Sequence, residues 1–388
     1  MFELKEVLTE SDQAFIDFSA VNHETDIRRL NLNWRESDLP ERERTKHVHR
    51  LHPYLGKYIP QLVEIFLRKY ARERVIDPFC GSGTTLVEAS VLGLDCFGVD
   101  ISEFNCLLSQ VKTGQYDLGS LEAALTEAYQ GAEALLESNA DLKLNWPSEY
   151  LTNWYSARSL KELFAYREQI NRFEYASVMK IILSRAARSA RLAAHYDLDF
   201  PEAPVTEPYY CRKHKRICKP TERALSFLKK YTLDTIQRIK AYSSIRKNST
   251  VVVTCGDARQ IKFPECDLVM TSPPYVGLID YHEQHRYAYE LLGLPDRSVQ
   301  EIGPAYRGKG KAARQSYVED MTAVFDNLYQ KVVRGGTIVV VVHDRYELYP
   351  GIGRRLGLKT EAVLVRQVNR RTGRRAGNFY EKIYVWKK

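Results

Sequence analysis

Residues 75–85 read VIDPFCGSGTT, a β-branched run that leads directly into a loop with two glycines. Glycine tolerates positive φ angles and, having no side chain, lets a ligand approach the backbone closely. Thr84 or Thr85 is placed to cap a helix that we expect to end at Gly93. The stretch therefore predicts a strand, a ligand-binding loop and a helix, which is the opening unit of a parallel α/β sheet.

A second run, residues 95–100, ends at Asp100, about twenty residues after the loop, where an acid can accept both hydroxyls of a ribose. The loop lacks the dinucleotide-binding spacing, because Leu86 follows Gly83 where a third glycine is required, and it lacks the Gly-Lys-Ser/Thr of a P-loop. Asp77, just before the loop, repels phosphate but suits a cation. S-adenosylmethionine, with ammonium and sulfonium groups and no phosphate, fits this pattern. Taken alone, the loop also suits a tight strand-to-helix turn without a ligand.

Residues 267–275 read DLVMTSPPY, a buried strand that delivers a polar residue, two prolines and an aromatic ring to its carboxyl end. Ligands bind at that end of strands in open α/β sheets. Proline has no N–H donor, so the carbonyls are left as acceptors. We expect the Ser272 hydroxyl and the Pro273 carbonyl to accept hydrogens from a planar exocyclic amine, and Tyr275 to stack on the attached ring. Taken alone, the motif also suits a proline-rich turn with a core tyrosine.

The glycine loop and the Ser-Pro-Pro-Tyr motif together resemble those of the DNA amino-methyltransferases, which methylate exocyclic nitrogens of cytosine or adenine. Residues 52–60 (HPYLGKYIP) resemble the extra cofactor motif of that family, and residues 256–259 (GDAR) resemble its adenine-contacting motif. The resemblance covers about residues 51–101 and 250–388. The glycine-loop half comes first here, whereas the commonest Ser-Pro-Pro-Tyr arrangement is the reverse. The usual place of the recognition domain is therefore not carried over.

The resemblance implies an α/β protein with the Rossmann-like class I methyltransferase fold, a mixed seven-stranded sheet, and S-adenosyl-L-methionine as cofactor. The cofactor-binding residues that it implies are Tyr54, Lys57, Asp77, Pro78, Phe79, Gly81, Gly83, Thr84, Thr85, Asp100, Ile101, Asp257 and Ala258. The catalytic residues that it implies are Ser272, Pro273, Pro274 and Tyr275.

The residue before Pro-Pro-Tyr bears on the target base. Serine is associated within the family with N4 of cytosine, whereas Asp or Asn is usual for N6 of adenine. We therefore expect a site-specific, cytosine-N4-specific DNA methyltransferase that flips its target base out of the duplex. An N6-adenine enzyme, an RNA base methyltransferase with the same core and a catalytically silent nucleic-acid-binding relative stay open. The expected partners are double-stranded DNA and a cognate restriction endonuclease encoded nearby.

A long segment interrupts the alternation of strands and helices. Residues 104–249 are mostly helical in pattern and far longer than a crossover connection needs, so we expect an inserted helical, basic domain that recognises the DNA target. Residues 1–103 and 250–388 would then form the catalytic domain. The predicted helices of the insert span residues 121–137, 159–192 and 221–242.

The last third of the chain also has a strand and helix pattern. We expect a strand over residues 250–254 and a helix over residues 317–333 that is ended by two glycines. A strand over residues 337–343 should follow. Residues 362–368 and 382–386 then predict an antiparallel hairpin at the sheet edge.

The net charge of +8 is unevenly distributed. Residues 205–248 carry a net +9 and residues 366–388 a net +7, which leaves −8 on the rest of the chain. Two basic segments on an acidic body favour a polyanionic partner, although a solvated charged surface explains them equally well. The residues that we expect to contact DNA are Arg212, Lys213, Lys215, Arg216, Arg307, Lys309, Arg370 and Arg371.

No metal is expected. Cys211 and Cys218 flank His214, but six residues separate the two cysteines and no second pair lies nearby in sequence, unlike the closely spaced pairs of structural zinc sites. The seven cysteines are scattered and odd in number, which favours reduced thiols. The sequence has no secretory signal and no apolar stretch long enough to cross a bilayer, so we expect a cytoplasmic protein without membrane partners.

Overall fold

The computed structural model describes residues 7–8, 18–138, 148–199, 201–368 and 379–388. Its strands are β1 (Val7–Leu8), β2 (Arg74–Asp77), β3 (Asp95–Asp100), β4 (Tyr209–Cys211), β5 (Arg216–Cys218), β6 (Val251–Cys255), β7 (Cys266–Thr271), β8 (Val332–Val342), β9 (Lys359–Val368) and β10 (Phe379–Lys387). Its α-helices are α1 (Glu41–Arg44), α2 (Pro60–Tyr70), α3 (Thr84–Leu92), α4 (Glu103–Thr113), α5 (Leu118–Glu137), α6 (Glu149–Trp154), α7 (Ala157–Ile170), α8 (Ala176–Ala190), α9 (Leu225–Ser243), α10 (Tyr281–Gln284), α11 (Arg286–Leu292), α12 (Lys311–Tyr329) and α13 (Tyr349–Arg355). None of the described helices is long and apolar enough to cross a membrane.

The main sheet has the strand order β1-β9-β10-β8-β7-β2-β3-β6. Strands β6, β3, β2, β7 and β8 are parallel, whereas β10 runs antiparallel to both β8 and β9. The seven longer strands confirm the predicted mixed seven-stranded sheet of the class I methyltransferase fold, and the two-residue β1 extends it beside β9. After β2, the chain adds β3 and β6 on one side of that strand, and β7 then pairs with β2 on its other side. The topological switch point, where open α/β sheets bind ligands, therefore lies between β2 and β7.

Helix α3 begins differently from the prediction. Its N-cap is Gly83, which has a left-handed φ of 78° and no side chain with which to cap, so neither threonine is the cap. Thr84 and Thr85 are instead the first two helical residues. The helix ends at Leu92, before the left-handed Gly93, as predicted.

The boundary between α12 and β8 corrects another prediction. Helix α12 ends at Tyr329, and β8 has already begun at Val332, which pairs with Cys266 of β7. Gly335, with a φ of 77°, lies inside the strand at a shift in the β7–β8 register. The glycines thus mark an irregularity in the strand, because backbone pairing with β7 extends β8 upstream of them. The β9–β10 hairpin is antiparallel as predicted, although β10 lies between β8 and β9.

The helical segment after β3 shares a hydrophobic core with helices that flank the sheet. One cluster of buried residues joins α5, α7, α8 and α9 to Val87 of α3, Phe104 of α4 and Tyr287 of α11. The single helix predicted over residues 159–192 is divided into α7 and α8 by a turn around Asn171. The helical segment therefore packs against α3 and α4, the helices that follow the glycine loop and Asp100.

Candidate active site

A cavity of about 800 Å³, counting its open mouth, lies at the carboxyl ends of the central strands. It brings together residues from both halves of the chain, which are distant in sequence. The predicted site residues that line it are Tyr54, Lys57, Pro78, Phe79, Gly81, Thr84, Asp100, Ile101, Asp257, Ala258, Ser272 and Pro274. The glycine loop and the serine of Ser-Pro-Pro-Tyr thus face one cavity.

Asp77 lies beneath this cavity and not in its described lining. Its fully buried carboxylate accepts hydrogen bonds from Thr85 Oγ1 at 2.6 Å, Thr271 Oγ1 at 2.7 Å and Tyr58 Oη at 3.1 Å. Burial raises the pKa of Asp77 despite these donors. The side chain ties β2 to α3 and β7, so its contact with the cavity is indirect. Gly83, Thr85, Pro273 and Tyr275 are the other predicted site residues outside the described lining.

The glycine loop is shaped by contacts that exclude larger residues. Gly81 has a φ of 49°, and a Cβ there would lie 2.9 Å from Tyr54 Oη. At Gly83 a Cβ would lie 2.8 Å from Ser109 Oγ and 3.2 Å from the Ser109 Cα atom. From below, Nζ of the buried Lys112 donates to the Ser82 carbonyl at 2.8 Å. The loop is thus held with its backbone against the cavity.

Asp100 is the acidic group that best suits a ribose. Within the described chain its carboxylate accepts from Gly81 N at 2.9 Å, Ser102 N at 2.8 Å and Asn105 Nδ2 at 3.1 Å. A carboxylate offers about four acceptor sites, so these bonds leave capacity for a ligand hydroxyl. Burial raises the pKa of Asp100 to about 6, which keeps the group mainly ionised at neutral pH.

Asp257 lines the cavity, but its carboxylate is already engaged. Arg259 donates to it from Nη2 at 2.7 Å and from Nε at 2.9 Å, and the same guanidinium contacts Asp320 at 2.5 Å. Burial opposes the ionisation of Asp257, yet the hydrogen bonds from Arg259 hold its pKa below the usual value. The carboxylate therefore stays charged and fixed in place, which leaves the adjoining backbone to face a ligand.

Three buried polar atoms of cavity-lining residues have no hydrogen-bond partner among the described residues. They are Ser82 Oγ, Thr84 Oγ1 and Asn105 Oδ1. Buried polar groups are usually hydrogen-bonded, so unsatisfied ones around a cavity indicate a ligand with donors and acceptors of its own. Together with Asp100 they suit the polar substituents of a nucleoside-sized cofactor such as S-adenosylmethionine.

An aromatic wall closes one side of the cavity. The Tyr54 ring is stacked on Tyr281 at a centroid distance of 5.9 Å and on His285 at 5.4 Å, and its hydroxyl accepts from Asn105 at 3.2 Å. Asn105, Tyr281 and the lining residues around Glu301 were not predicted as site residues from the sequence. Asn105 has the clearest signal in retrospect, because it follows Asp100 in the first turn of α4, where side chains point back toward the strand end.

Tyr275 belongs to a buried network between the last strands. Its hydroxyl donates to Glu381 Oε1 at 3.0 Å, and Arg366 Nε donates to Glu381 Oε2 at 2.8 Å. Burial raises the pKa of Tyr275 well above its usual value, and the nearby Glu381 carboxylate raises it further. Ser272 contacts the same hydroxyl. The network therefore joins the cavity wall to β9 and β10.

The predicted DNA-contacting residues occupy exposed surfaces. Those of the β4–β5 hairpin, Arg212, Lys213, Lys215 and Arg216, are all exposed. Arg307 and Lys309 are exposed in a loop that lies close to the chain just after Ser-Pro-Pro-Tyr. A Cβ added at Gly277 would lie only 2.5 Å from the Gly308 carbonyl oxygen of this loop. Arg370 and Arg371 lie outside the described residues.

The fold also assembles a cluster of metal-ligand side chains that the sequence analysis missed. His195 joins Cys211, His214 and Cys218, with all four ligand atoms within 4.8 Å of one another. The expectation of no metal rested on the lack of a second ligand pair nearby in sequence. His195, sixteen residues before Cys211, provides the missing ligand through the fold.

Comparison with known proteins gives the family. A family model described as DNA methylase matches residues 7–111. The Type II methyltransferase M.MjaII of Methanocaldococcus jannaschii is 35% identical over 90% of this chain and 82% of its own length. The Type II methyltransferase M.MvaI of Kocuria varians is 24% identical over 84% of this chain and 74% of its own length.

Solved structures resemble the chain only loosely. The rRNA methyltransferase aviRa of Streptomyces viridochromogenes is 14% identical, covering 92% of this chain and 96% of its own, with a TM-score of 0.35. TrmN of Thermus thermophilus is also 14% identical, covering 86% of this chain and 50% of its own, with a TM-score of 0.30. The relationship to M.MjaII over most of both chains is much closer. This chain therefore belongs to the S-adenosylmethionine-dependent DNA amino-methyltransferases, the family that modifies the exocyclic nitrogen of cytosine or adenine.

Proposed function

We propose that this enzyme methylates N4 of cytosine at a specific sequence in duplex DNA. The observation that carries the proposal is the position of Ser272, a neutral hydroxyl on the wall of the cavity that also holds the glycine loop and Asp100. A target amine beside Ser272 would lie within the same cavity as the methyl donor. The cysteine of the glycine loop, Cys80, is buried and its pKa is raised by burial, so it is not suited to act as a nucleophile.

The cofactor, when bound, supplies a methyl group made electrophilic by its sulfonium charge. We assign the ribose hydroxyls to Asp100 and the adenine to the strand end at Asp257 and Ala258. Ser82, Thr84 and Asn105 would satisfy further polar groups, as their unpaired buried atoms support. Tyr54 and Lys57 would enclose the methionine end, in keeping with their position in the cavity lining.

The Ser272 hydroxyl and the Pro273 carbonyl would orient the target amine. The lone pair of cytosine N4 is delocalised into the ring, so hydrogen bonds that draw its hydrogens aside favour a pyramidal and more nucleophilic nitrogen. By holding that nitrogen close to the methyl donor, Ser272 and Pro273 would supply much of the remaining acceleration through positioning. The adjoining Pro274 carbonyl accepts a hydrogen bond from Tyr317 at 2.8 Å, which supports a fixed conformation for the motif.

Tyr275 would receive the flipped base on its ring face. A flipped base loses its stacking in the duplex, and an aromatic side chain replaces part of it. The ring centroids of His343 and Phe379 both lie 6.3 Å from that of Tyr275, so this part of the site offers several aromatic surfaces. The hydrogen bond to Glu381 would fix the plane of the Tyr275 ring before the base arrives.

We assign target recognition to residues 104–249 as a domain inserted into a catalytic unit of residues 1–103 and 250–388. The exposed cations of the β4–β5 hairpin support this role, since Lys and Arg side chains contact phosphates in most DNA complexes. The loop with Arg307 and Lys309, and the segment with Arg370 and Arg371, would contribute further phosphate contacts. A helical cap that only stabilises the cofactor site is the alternative, which the shared hydrophobic core favours.

Both named relatives are Type II methyltransferases, which supports a restriction-modification role in the cytoplasm with a cognate endonuclease.

Transfer of labelled methyl groups to duplex DNA and to RNA of the same sequence tests the substrate class. We expect label in DNA with wild-type protein and far less with the variant Ser272→Ala. Label in RNA alone would overturn the proposal.

A further inference from the structure

We propose that His195, Cys211, His214 and Cys218 bind one structural zinc ion, which fixes the basic β4–β5 hairpin to the end of α8. Two thiols and two imidazoles in one cluster form a ligand set typical of structural zinc. All four ligand atoms lie within 4.8 Å of one another, close enough to share one ion.

The distances around His214 match a tetrahedral centre. His214 Nδ1 lies 3.6 Å from Cys211 Sγ and 3.4 Å from Cys218 Sγ. Tetrahedral zinc with usual Zn–S and Zn–N bond lengths places neighbouring sulfur and nitrogen ligands about 3.5 Å apart. Both nitrogen–sulfur distances therefore already match the spacing that a shared ion requires.

Hydrogen bonding alone accounts poorly for this arrangement. A neutral imidazole nitrogen either donates one proton or accepts through one in-plane lone pair, so Nδ1 of His214 cannot satisfy both sulfurs well. His195 Nδ1, which is also buried, has no hydrogen-bond partner within the described part of the chain. The rings of His195 and His214 have centroids 5.1 Å apart. A metal ion would satisfy the buried His195 nitrogen and both thiols together.

The hairpin lacks a hydrophobic core that would hold it without a metal. Strands β4 and β5 have three residues each, and in both the buried residue is the cysteine. Tyr210 and Ile217 are 58% and 65% exposed. An isolated two-stranded hairpin is marginally stable in water, and a metal site can supply the missing free energy of folding. The cysteines thus lie where a hairpin would otherwise have core residues.

The charge of a zinc site suits these surroundings. The cluster is flanked in sequence by four cations, Arg212, Lys213, Lys215 and Arg216. Zinc with two thiolates and two neutral imidazoles carries no net charge, so it can occupy a half-buried site among cations.

His195 connects the hairpin to the helical core. Its backbone N–H donates to Tyr209 Oη of β4 at 2.9 Å, which places the histidine beside the hairpin. Arg191, four residues earlier, packs its guanidinium 4.8 Å from the ring centroid of Tyr287 in the main hydrophobic cluster. A metal ligated by His195 would therefore anchor the hairpin to a rigid part of the protein.

A second cluster within the described chain, His47, His49 and Glu88, has a different explanation. His49 Nε2 lies 2.7 Å from one Glu88 oxygen, and Lys46 Nζ lies 3.0 Å from the other. The carboxylate is already paired on both sides. Glu88 is therefore ion-paired with Lys46 and hydrogen-bonded to His49, whose pKa is held well below its usual value by burial.

Metal analysis of the full chain tests the proposal directly. Protein expressed with added zinc and dialysed into metal-free buffer should hold one zinc per chain by plasma mass spectrometry. The double variant Cys211→Ser/Cys218→Ser should hold none, whereas Cys266→Ser, which removes a buried thiol from the sheet, should keep it. Wild-type protein without zinc, or equal zinc in the double variant, would overturn the proposal.

Two further measurements do not depend on the folding of a variant. Cobalt added to metal-free wild-type protein should give the intense visible bands of tetrahedral cobalt and a thiolate charge-transfer band in the near ultraviolet. Chelation should speed tryptic cleavage after Arg212, Lys213, Lys215 and Arg216, and zinc should restore protection. Cobalt spectra of the octahedral aqueous type, or cleavage unaffected by chelator and zinc, would contradict the assignment.

Discussion

The hydroxyl of Tyr275 donates a 3.0 Å hydrogen bond to Glu381, which in turn accepts a 2.8 Å hydrogen bond from Arg366. Glu381 and Arg366 are buried on adjacent antiparallel strands. The tyrosine of the Ser-Pro-Pro-Tyr motif is therefore fixed by the last two strands of the sheet. A ring fixed in this way can meet a base without losing rotational freedom at the moment of binding.

Removal of the hydroxyl alone tests this role. The variant Tyr275→Phe should lose about 2 kcal/mol of unfolding free energy, since it deletes a hydrogen bond to a charged group. Cofactor affinity should stay unchanged, because Tyr275 lies outside the described lining of the cofactor cavity. Tyr275→Ala, which also removes the ring, should reduce methyl transfer much further. Calorimetry measures stability and cofactor affinity, and a transfer assay measures the rate of methylation. An equal loss of cofactor affinity and of methyl transfer in Tyr275→Ala would place Tyr275 at the cofactor.

Cofactor binding should weaken in acid. Burial raises the pKa of Asp100 to about 6, and only the ionised carboxylate is a strong acceptor for ribose hydroxyls. Affinity should therefore be full above that pKa and fall about tenfold between pH 7 and pH 5 as Asp100 is protonated. Titration calorimetry across this range measures the effect. The variant Asp100→Asn should bind the cofactor weakly, with an affinity that does not change between pH 7 and pH 5. If the affinity of the variant fell with pH as in the wild type, another group would be responsible for the pH dependence.

The glycine loop should not tolerate a methyl group at residue 81. In Gly81→Ala, the new Cβ would lie 2.9 Å from Tyr54 Oη, and Tyr54 is confined by ring contacts with Tyr281 and His285. We expect cofactor affinity to fall by at least tenfold, measured by calorimetry. Gly293→Ala is the matched control, because Gly293 has a similar left-handed φ of 64° and no atom within 4 Å of an added Cβ. Equal losses in both variants would indicate backbone strain alone.

The β4–β5 hairpin should contribute to the salt dependence of DNA binding. Replacing Arg212, Lys213, Lys215 and Arg216 with Ala should reduce the slope of log affinity against log salt by about 0.9 for each phosphate that the hairpin no longer neutralises. Cofactor affinity should be unaffected. Fluorescence anisotropy at several salt concentrations provides the measurement.

A control with the same change in charge uses exposed cations at the opposite, amino edge of the parallel strands. These residues are Arg28, Arg29, Arg72 and Lys359. Their replacement with Ala should leave the salt slope close to that of the wild type. A similar decrease in both variants would mean that net charge, and no particular surface, governs binding.

Local constraints made much of the catalytic fold predictable. The glycine loop requires left-handed backbone at Gly81 and Gly83, and the bounds of β3 match the predicted run over residues 95–100. Such features depend on a few neighbouring residues. The α12–β8 boundary was mispredicted because β7 pairs with Val332, a contact that local pattern does not contain.

Contacts between distant segments account for what the sequence analysis missed. Glu381 and Tyr275 are separated by 106 positions, and nothing in their local sequences predicts the hydrogen bond that joins them. His195 likewise meets Cys211 and Cys218 only through the turn that follows α8. Asp77 looked like a cofactor ligand because it precedes the loop, yet its carboxylate is directed to Thr85 and Thr271.

The most direct measurement is the identity of the methylated nucleoside. Duplex DNA methylated by the purified enzyme is digested to nucleosides and analysed by mass spectrometry against authentic standards. We predict N4-methylcytosine with wild-type protein, and a strong decrease in this nucleoside with Ser272→Ala. N6-methyladenine in place of N4-methylcytosine would contradict the cytosine assignment, and an absence of methylated nucleosides in DNA would contradict the proposed activity.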